Sequence, residues 1–150
     1  MTSTPFQKYV QNRVLIASRG DKIALLLKEA AHQMDKAQKA CLDLKYEDRY
    51  NATERACTIM AGLRDFLDES VPGSENIVKI LQNFYTLNIL LCFRVNHKND
   101  AAQAKKIANS LREMANTWLL MESQLSESSD NSTNKKIATG TGTTIGRFEV

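Results

Sequence analysis

This chain of 150 residues has little of what chemistry requires. It has two histidines, His32 and His97, and three cysteines, Cys41, Cys57 and Cys92, with no Cys-x-x-Cys pair. Neither histidine stands at a ligand spacing from a cysteine, so no zinc site is expected. The plain reading of the cysteines is as reduced, largely buried thiols. The chain's longest unbroken apolar runs, Ile89 to Phe93 and the equally long Ile23 to Leu27, are far too short to span a bilayer. The start, Met1 to Pro5, lacks a basic stretch leading into an apolar one, so no signal peptide is read and a cytoplasmic location is expected. A formal charge of +3 is too mild to call for nucleic acid or an anionic membrane. The basic pairs Lys105-Lys106 and Lys135-Lys136 are isolated. Gly140 to Gly146 has neither the spacing nor the strand–helix setting of a dinucleotide loop. No catalytic residue, cofactor or metal is expected.

What the chain does have is helical periodicity. Four stretches carry apolar residues three and four apart. The first is Ile23, Leu27, Ala30, Met34, Ala37, Cys41, Leu44, and the second Ala52, Ala56, Ile59, Leu63, Phe66. The third is Ile77, Ile80, Phe84, Leu87, Leu91, and the fourth Ala104, Ile107, Leu111, Met114, Trp118, Met121, Leu125. Four such helices with short connections predict an all-α antiparallel four-helix bundle. Ser18 and Asp21 read as a capping box opening a helix from Arg19 to Leu44. A turn at Lys45 to Asp48 leads to a helix reaching Glu69. Pro72 and Gly73 break the chain, and Ser74 is read as the cap of a helix ending near Asn96. The fourth helix is expected to reach Leu125, with Trp118 largely buried.

The domain reading is therefore an N-terminal arm at 1–17, the bundle at 18–125 and a tail at 126–150. The arm is apolar at Phe6, Tyr9, Val14 and Ile16. The tail, rich in Ser, Asn, Gly and Thr, has too little apolar surface to offset ordering, so disorder is expected. Helix three is the exception to ordinary patterning. From Ile77 to Val95, 13 of 19 residues are apolar, whereas a bundle helix needs about three in seven. Either it is the central helix, or part of its surface, Leu81 and Tyr85 included, forms a groove for the arm or for a partner.

The arm and first helix resemble the flagellin export chaperones. The matching residues are Tyr9, Asn12-Arg13-Val14 and Ile16-Ala17-Ser18-Arg19, then Phe66-Leu67-Asp68, the run from Ile77 to Tyr85, the Asn99-Asp100 turn and Trp118. The similarity spans about Phe6 to Leu125. The chain departs from the family pattern at Arg13, where a Gln is usual, at Arg19 for Pro, and at Leu27-Lys28-Glu29 for Tyr-Asp-Gly. It has one glycine, Gly73, where the family has two. The resemblance implies a cytoplasmic chaperone that prevents premature polymerisation by binding the C-terminal segment of flagellin, or of a flagellin-like subunit. The expected binding residues are Phe6, Tyr9, Asn12, Val14, Ile16, Leu27, Leu81 and Tyr85, on a monomer or weak homodimer. Two alternatives stand beside it: a histidine phosphotransfer bundle using His32, and a bundle adaptor for another helical client. Against the first, Asp35 stands where such domains place a Lys, and would repel phosphate.

Overall fold

The computed structural model of the chain describes residues 19–70 and 73–148. They form four helices: α1 (Arg19–Leu42), α2 (Tyr46–Asp65), α3 (Glu75–Lys98) and α4 (Ala101–Phe148). The fold is the all-α four-helix bundle that the periodicity predicts. The four starts lie within a few residues of their expected positions. α4 continues as helix past Leu125 into the segment read as a tail. Ser18, the expected cap of α1, lies outside the described residues, as does the whole arm.

α1 holds the central place. It packs most extensively on α4 and then on α2, while α3 borders α2 and, more sparsely, α4. Small side chains make the α1–α4 contact close. Ala24, Ala30, Ala31 and Ala37 of α1 are buried, as are Ala104, Ala108 and Ala115 of α4. Leu27, Met34, Ile107 and Leu111 fill the space that remains, all nearly inaccessible. At the rim, Arg112 pairs with Asp35 across the same two helices. The first two stripes are buried as read, except at their ends. Leu44 and Phe66 lie at the turns and are exposed. Leu44 itself takes a left-handed conformation, φ 55°, which a γ-branched residue adopts at some cost.

The connection from α2 to α3 turns at Gly73, φ +82°, a conformation that side chains disfavour. Ser74 stands at the N-cap of α3, but its hydroxyl does not cap the helix. It donates to the Asp68 carbonyl instead, so it braces the loop rather than the helix end. At its other end α3 closes on Asn99 in the left-handed region, φ 49°, as amide side chains at this position tolerate.

That end is tied by side-chain hydrogen bonds to α2 and to the last turn of α1. Arg49 of α2 donates to the Asn96 and Asn99 amide oxygens at 3.2 and 2.9 Å. Asn96 donates to the Thr53 hydroxyl at 2.8 Å. Asn99 donates to the Cys41 carbonyl at the end of α1 at 3.1 Å. Charge-assisted bonds from a guanidinium are among the stronger polar contacts. The cluster fixes how α3 is rotated about its own axis.

This rotation overturns two sequence expectations. The stripe read as the core face of helix three, Ile77, Ile80, Phe84, Leu87 and Leu91, is not the buried one. Val78, Leu81, Tyr85, Cys92 and Val95 point inward, together with Asn88, whose amide donates to the Phe84 carbonyl. Ile77, Ile80 and Leu87 are exposed, and Phe84 and Leu91 half-buried. Both stripes have the same three-and-four spacing, so periodicity alone does not choose between them. The polar clamp at Asn96 and Asn99 chooses, because with Asn96 against α2 the residues one and four positions before it, Val95 and Cys92, face the core. The second correction follows from the packing. Helix three is not central, so its apolar surplus is not covered by neighbouring helices.

Candidate functional site: an apolar face on α3

The uncovered surplus forms one continuous feature. Ile77, Ile80, Phe84, Leu87 and Leu91 recur at the spacing of a helix seam, and the seam runs about 21 Å along α3 at 1.5 Å per residue. Ile80 is 66 % exposed, Ile77 61 % and Leu87 56 %. Single exposed apolar residues are ordinary, but a contiguous row marks an interaction surface. By helical register the seam lies on the α4 side of α3. There α4 contributes Met114 and Trp118, both half-buried against the core, and Met121, 41 % exposed. α3 and α4 pack sparsely on each other, so the seam is left uncovered beside these residues.

Aromatic rings back the seam. Phe84 stands edge-on to Tyr85, ring centroids 5.5 Å apart. Tyr85 is almost wholly buried, and burial pushes its phenol up to about 12, against a smaller opposing influence from the Trp118 indole. The phenol therefore stays neutral at ordinary pH. Trp118 is half-buried rather than largely buried as expected, and its Nε1 is enclosed without a partner at hydrogen-bonding geometry. Behind α3, Cys92 lies 3.7 Å from Met34 Sδ of α1. Its hydrogen bond to Cys57 of α2, and then burial, raise its pKa, while Cys57 is lowered by the same bond. All three cysteines are free thiols.

Of the expected binding residues, Phe6, Tyr9, Asn12, Val14 and Ile16 lie outside the described residues. Leu27, Leu81 and Tyr85 are buried. Leu27 belongs to the α1 core, and Leu81 and Tyr85 face the core rather than the exposed seam. Sequence reasoning missed the exposed row because it had assigned those residues to the core. The signal was present in the 13 apolar residues of helix three, which supply two seams. His32 is exposed on α1, and the neighbouring Asp35 is engaged by Arg112. Among the described residues no group of His, Cys, Asp and Glu could hold a metal ion. No helix among them is long and apolar enough to cross a membrane.

A contiguous row of exposed apolar side chains is the kind of surface on which protein partners dock. Comparison with curated proteins finds no match. The family model described as flagellar protein FliS matches residues 2–125, which includes all four apolar stripes and the whole α3 seam. By that match the chain belongs to the FliS family of flagellar chaperones.

Proposed function

We propose that the chain is a cytoplasmic export chaperone for flagellin or a flagellin-like subunit, and that the client docks on the exposed seam of α3. The observation that carries this reading is the exposure of Ile77, Ile80 and Leu87 in one row with the half-buried Phe84 and Leu91. A filament subunit's terminal segments are amphipathic helices that assemble by burying their apolar faces on neighbouring subunits. A seam of about four helical turns is the complement of one such helix. Covering it keeps the client from polymerising. The client segment is the flagellin C-terminus, as family membership suggests. Full burial of a large aliphatic side chain is worth about 1.5–3 kcal/mol. Residues already near half-buried gain about 1 kcal/mol each, so the row supplies about 5 kcal/mol toward association and ordering costs. The described surface is also compatible with Tyr9 and its neighbours building part of the site.

The test is client affinity measured by titration calorimetry with the flagellin C-terminal segment. Ile80→Asp places a charge at the most exposed position of the seam without touching the core. The expected result is a loss of binding of at least a hundredfold, with an unchanged thermal melt. Unchanged affinity would move the client elsewhere on the bundle. Binding that persists with unrelated amphipathic helices but not with flagellin would favour an adaptor for another client.

A further inference from the structure

A second, chemically different surface lies between α1 and α2. It is a cleft of about 340 Å³ lined by Lys36 and Lys39 of α1, Asp43 and Lys45 of the turn, and Asp48 and Arg55 of α2, with Asn51 beside them. By helical register these α2 residues stand on the opposite side of that helix from Cys57 and Arg64, which meet α3. The cleft is thus separate from the apolar seam. Four cations and two carboxylates give it a charge of +2 (four minus two). The ion pairs Arg94–Asp100 and Arg112–Asp35 lie elsewhere. Among the described residues Lys36, Lys39, Lys45 and Arg55 have no ion-pair partner.

The shape of the cleft narrows what would satisfy these cations. Its floor is Ala40 and Ala52, both nearly fully buried, so a backbone can lie close between the helices. The cations stand on both walls and at the turn, rather than converging on one point as a phosphate group would require. Asp43 and Asp48 interrupt the basic lining, and two fixed carboxylates disfavour the unbroken negative charge of a nucleic-acid backbone. A peptide carries both signs of polarity. Its side-chain carboxylates reach the cations of either wall, and its backbone N–H groups have Asp43, Asp48 and the Asn51 amide oxygen as acceptors.

We propose that this cleft is a docking site for an acidic peptide segment of a protein partner. Because it is on a different side of the bundle from the α3 seam, the two sites can be filled together. The chaperone then holds a client helix on one face while an acidic segment of a second protein engages the other. This assignment rests on charge and shape at the α1–α2 cleft and stands apart from the client reading. Complementary charge of this kind sets partner choice and association rate more than affinity.

The experiment is fluorescence anisotropy with the full chain and a labelled 15-residue peptide carrying Glu pairs four apart, compared with its Gln counterpart. The double variant Lys39→Glu, Arg55→Glu reverses one cation on each wall. Both residues are exposed, so the fold is not at stake, and a thermal melt verifies this. The expected result is about tenfold weaker binding of the Glu peptide or more, with the Gln peptide bound weakly throughout. Lys105→Glu, Lys106→Glu makes the same change in net charge on exposed residues of α4 and should alter binding by less than about twofold. Asp48→Asn should tighten it a few-fold. Equal weakening by the two double variants would show a general field effect and overturn the site. So would failure of the Glu peptide to bind, or tighter binding of a single-stranded oligonucleotide that depends on Lys39 and Arg55.

Discussion

α1 and α3 are each 24 residues long, yet they use their apolar residues in opposite ways. α1 buries a broad face made largely of alanines, with Leu27 and Met34 between them. α3 buries a narrower one, in which Tyr85 is the only large aromatic, and leaves Ile77, Ile80, Leu87, Leu90 and Phe93 exposed. In α1 the residues are small where two neighbours approach, and the helix is enclosed. In α3 the large aliphatic residues are on the outside, where they do nothing for the isolated fold. The buried core is concentrated on the first helix, and the surface proposed for the client lies on the third.

The largest effect should come from breaking α1. Met34 is inaccessible and touches Cys92 of α3, so Met34→Ala leaves a cavity at the junction of three helices. The expected cost is about 3 kcal/mol, within the range for a buried Met or Leu truncation. Urea denaturation followed by far-ultraviolet circular dichroism would measure it. A cost below about 1 kcal/mol would mean that the core collapses freely around this position, and that α1 is not the structural axis.

A smaller effect is expected from Arg49, which joins the two regions. Arg49→Ala removes the donors to Asn96 and Asn99 and the guanidinium that sits 5.1 Å over the Tyr46 ring. Because the site is only half-buried, about 1–2 kcal/mol is expected rather than the full value of a buried charged hydrogen bond. The more telling readout is local. Amide hydrogen exchange at the last two turns of α3 should quicken more than exchange in α1. Unchanged exchange there would remove the clamp as the device that sets the rotation of α3.

How much could be read from the sequence depended on whether periodicity had one solution. For helices one, two and four it did. Leu27, Ala30, Met34 and Ala37 are buried as spaced, as are Ala52, Ala56, Ile59 and Leu63 and, in α4, Ala104, Ile107 and Leu111. Each has polar residues on the other faces, so only one rotation buries the apolar stripe. Helix three offers two stripes, and the choice lies in contacts between residues far apart in sequence, Arg49 with Asn96 and Asn99 with Cys41. Nothing local to helix three encodes them. The apolar surplus itself was legible, as the five large apolar residues left exposed on α3 show. Which residues lie outside was not. The basic cleft was likewise invisible, because Lys36, Lys39 and Arg55 are ordinary solvated positions until two helices bring them together.

The smallest stability effect, and the sharpest division between the two helices, should come from Leu87→Ala. Leu87 is 56 % exposed in the middle of the α3 seam, so truncation opens no cavity. The lost apolar contacts are few, and alanine is the stronger helix former. The melt should move by no more than the equivalent of about 0.5 kcal/mol in either direction, as for surface substitutions generally. The same change removes a whole side chain from the surface on which the client is proposed to lie. A residue near the centre of such a contact is where binding energy concentrates, so affinity for the flagellin C-terminal segment should fall by about tenfold. Met34→Ala should show the reverse pattern: a large loss of stability, with affinity little changed at a temperature where the protein remains folded. If Leu87→Ala instead destabilised the bundle by 2 kcal/mol or more, the seam would have to be packed against part of this chain, and α3 would be a structural helix like α1. If it changed neither stability nor affinity, the exposed row would not be the client's site.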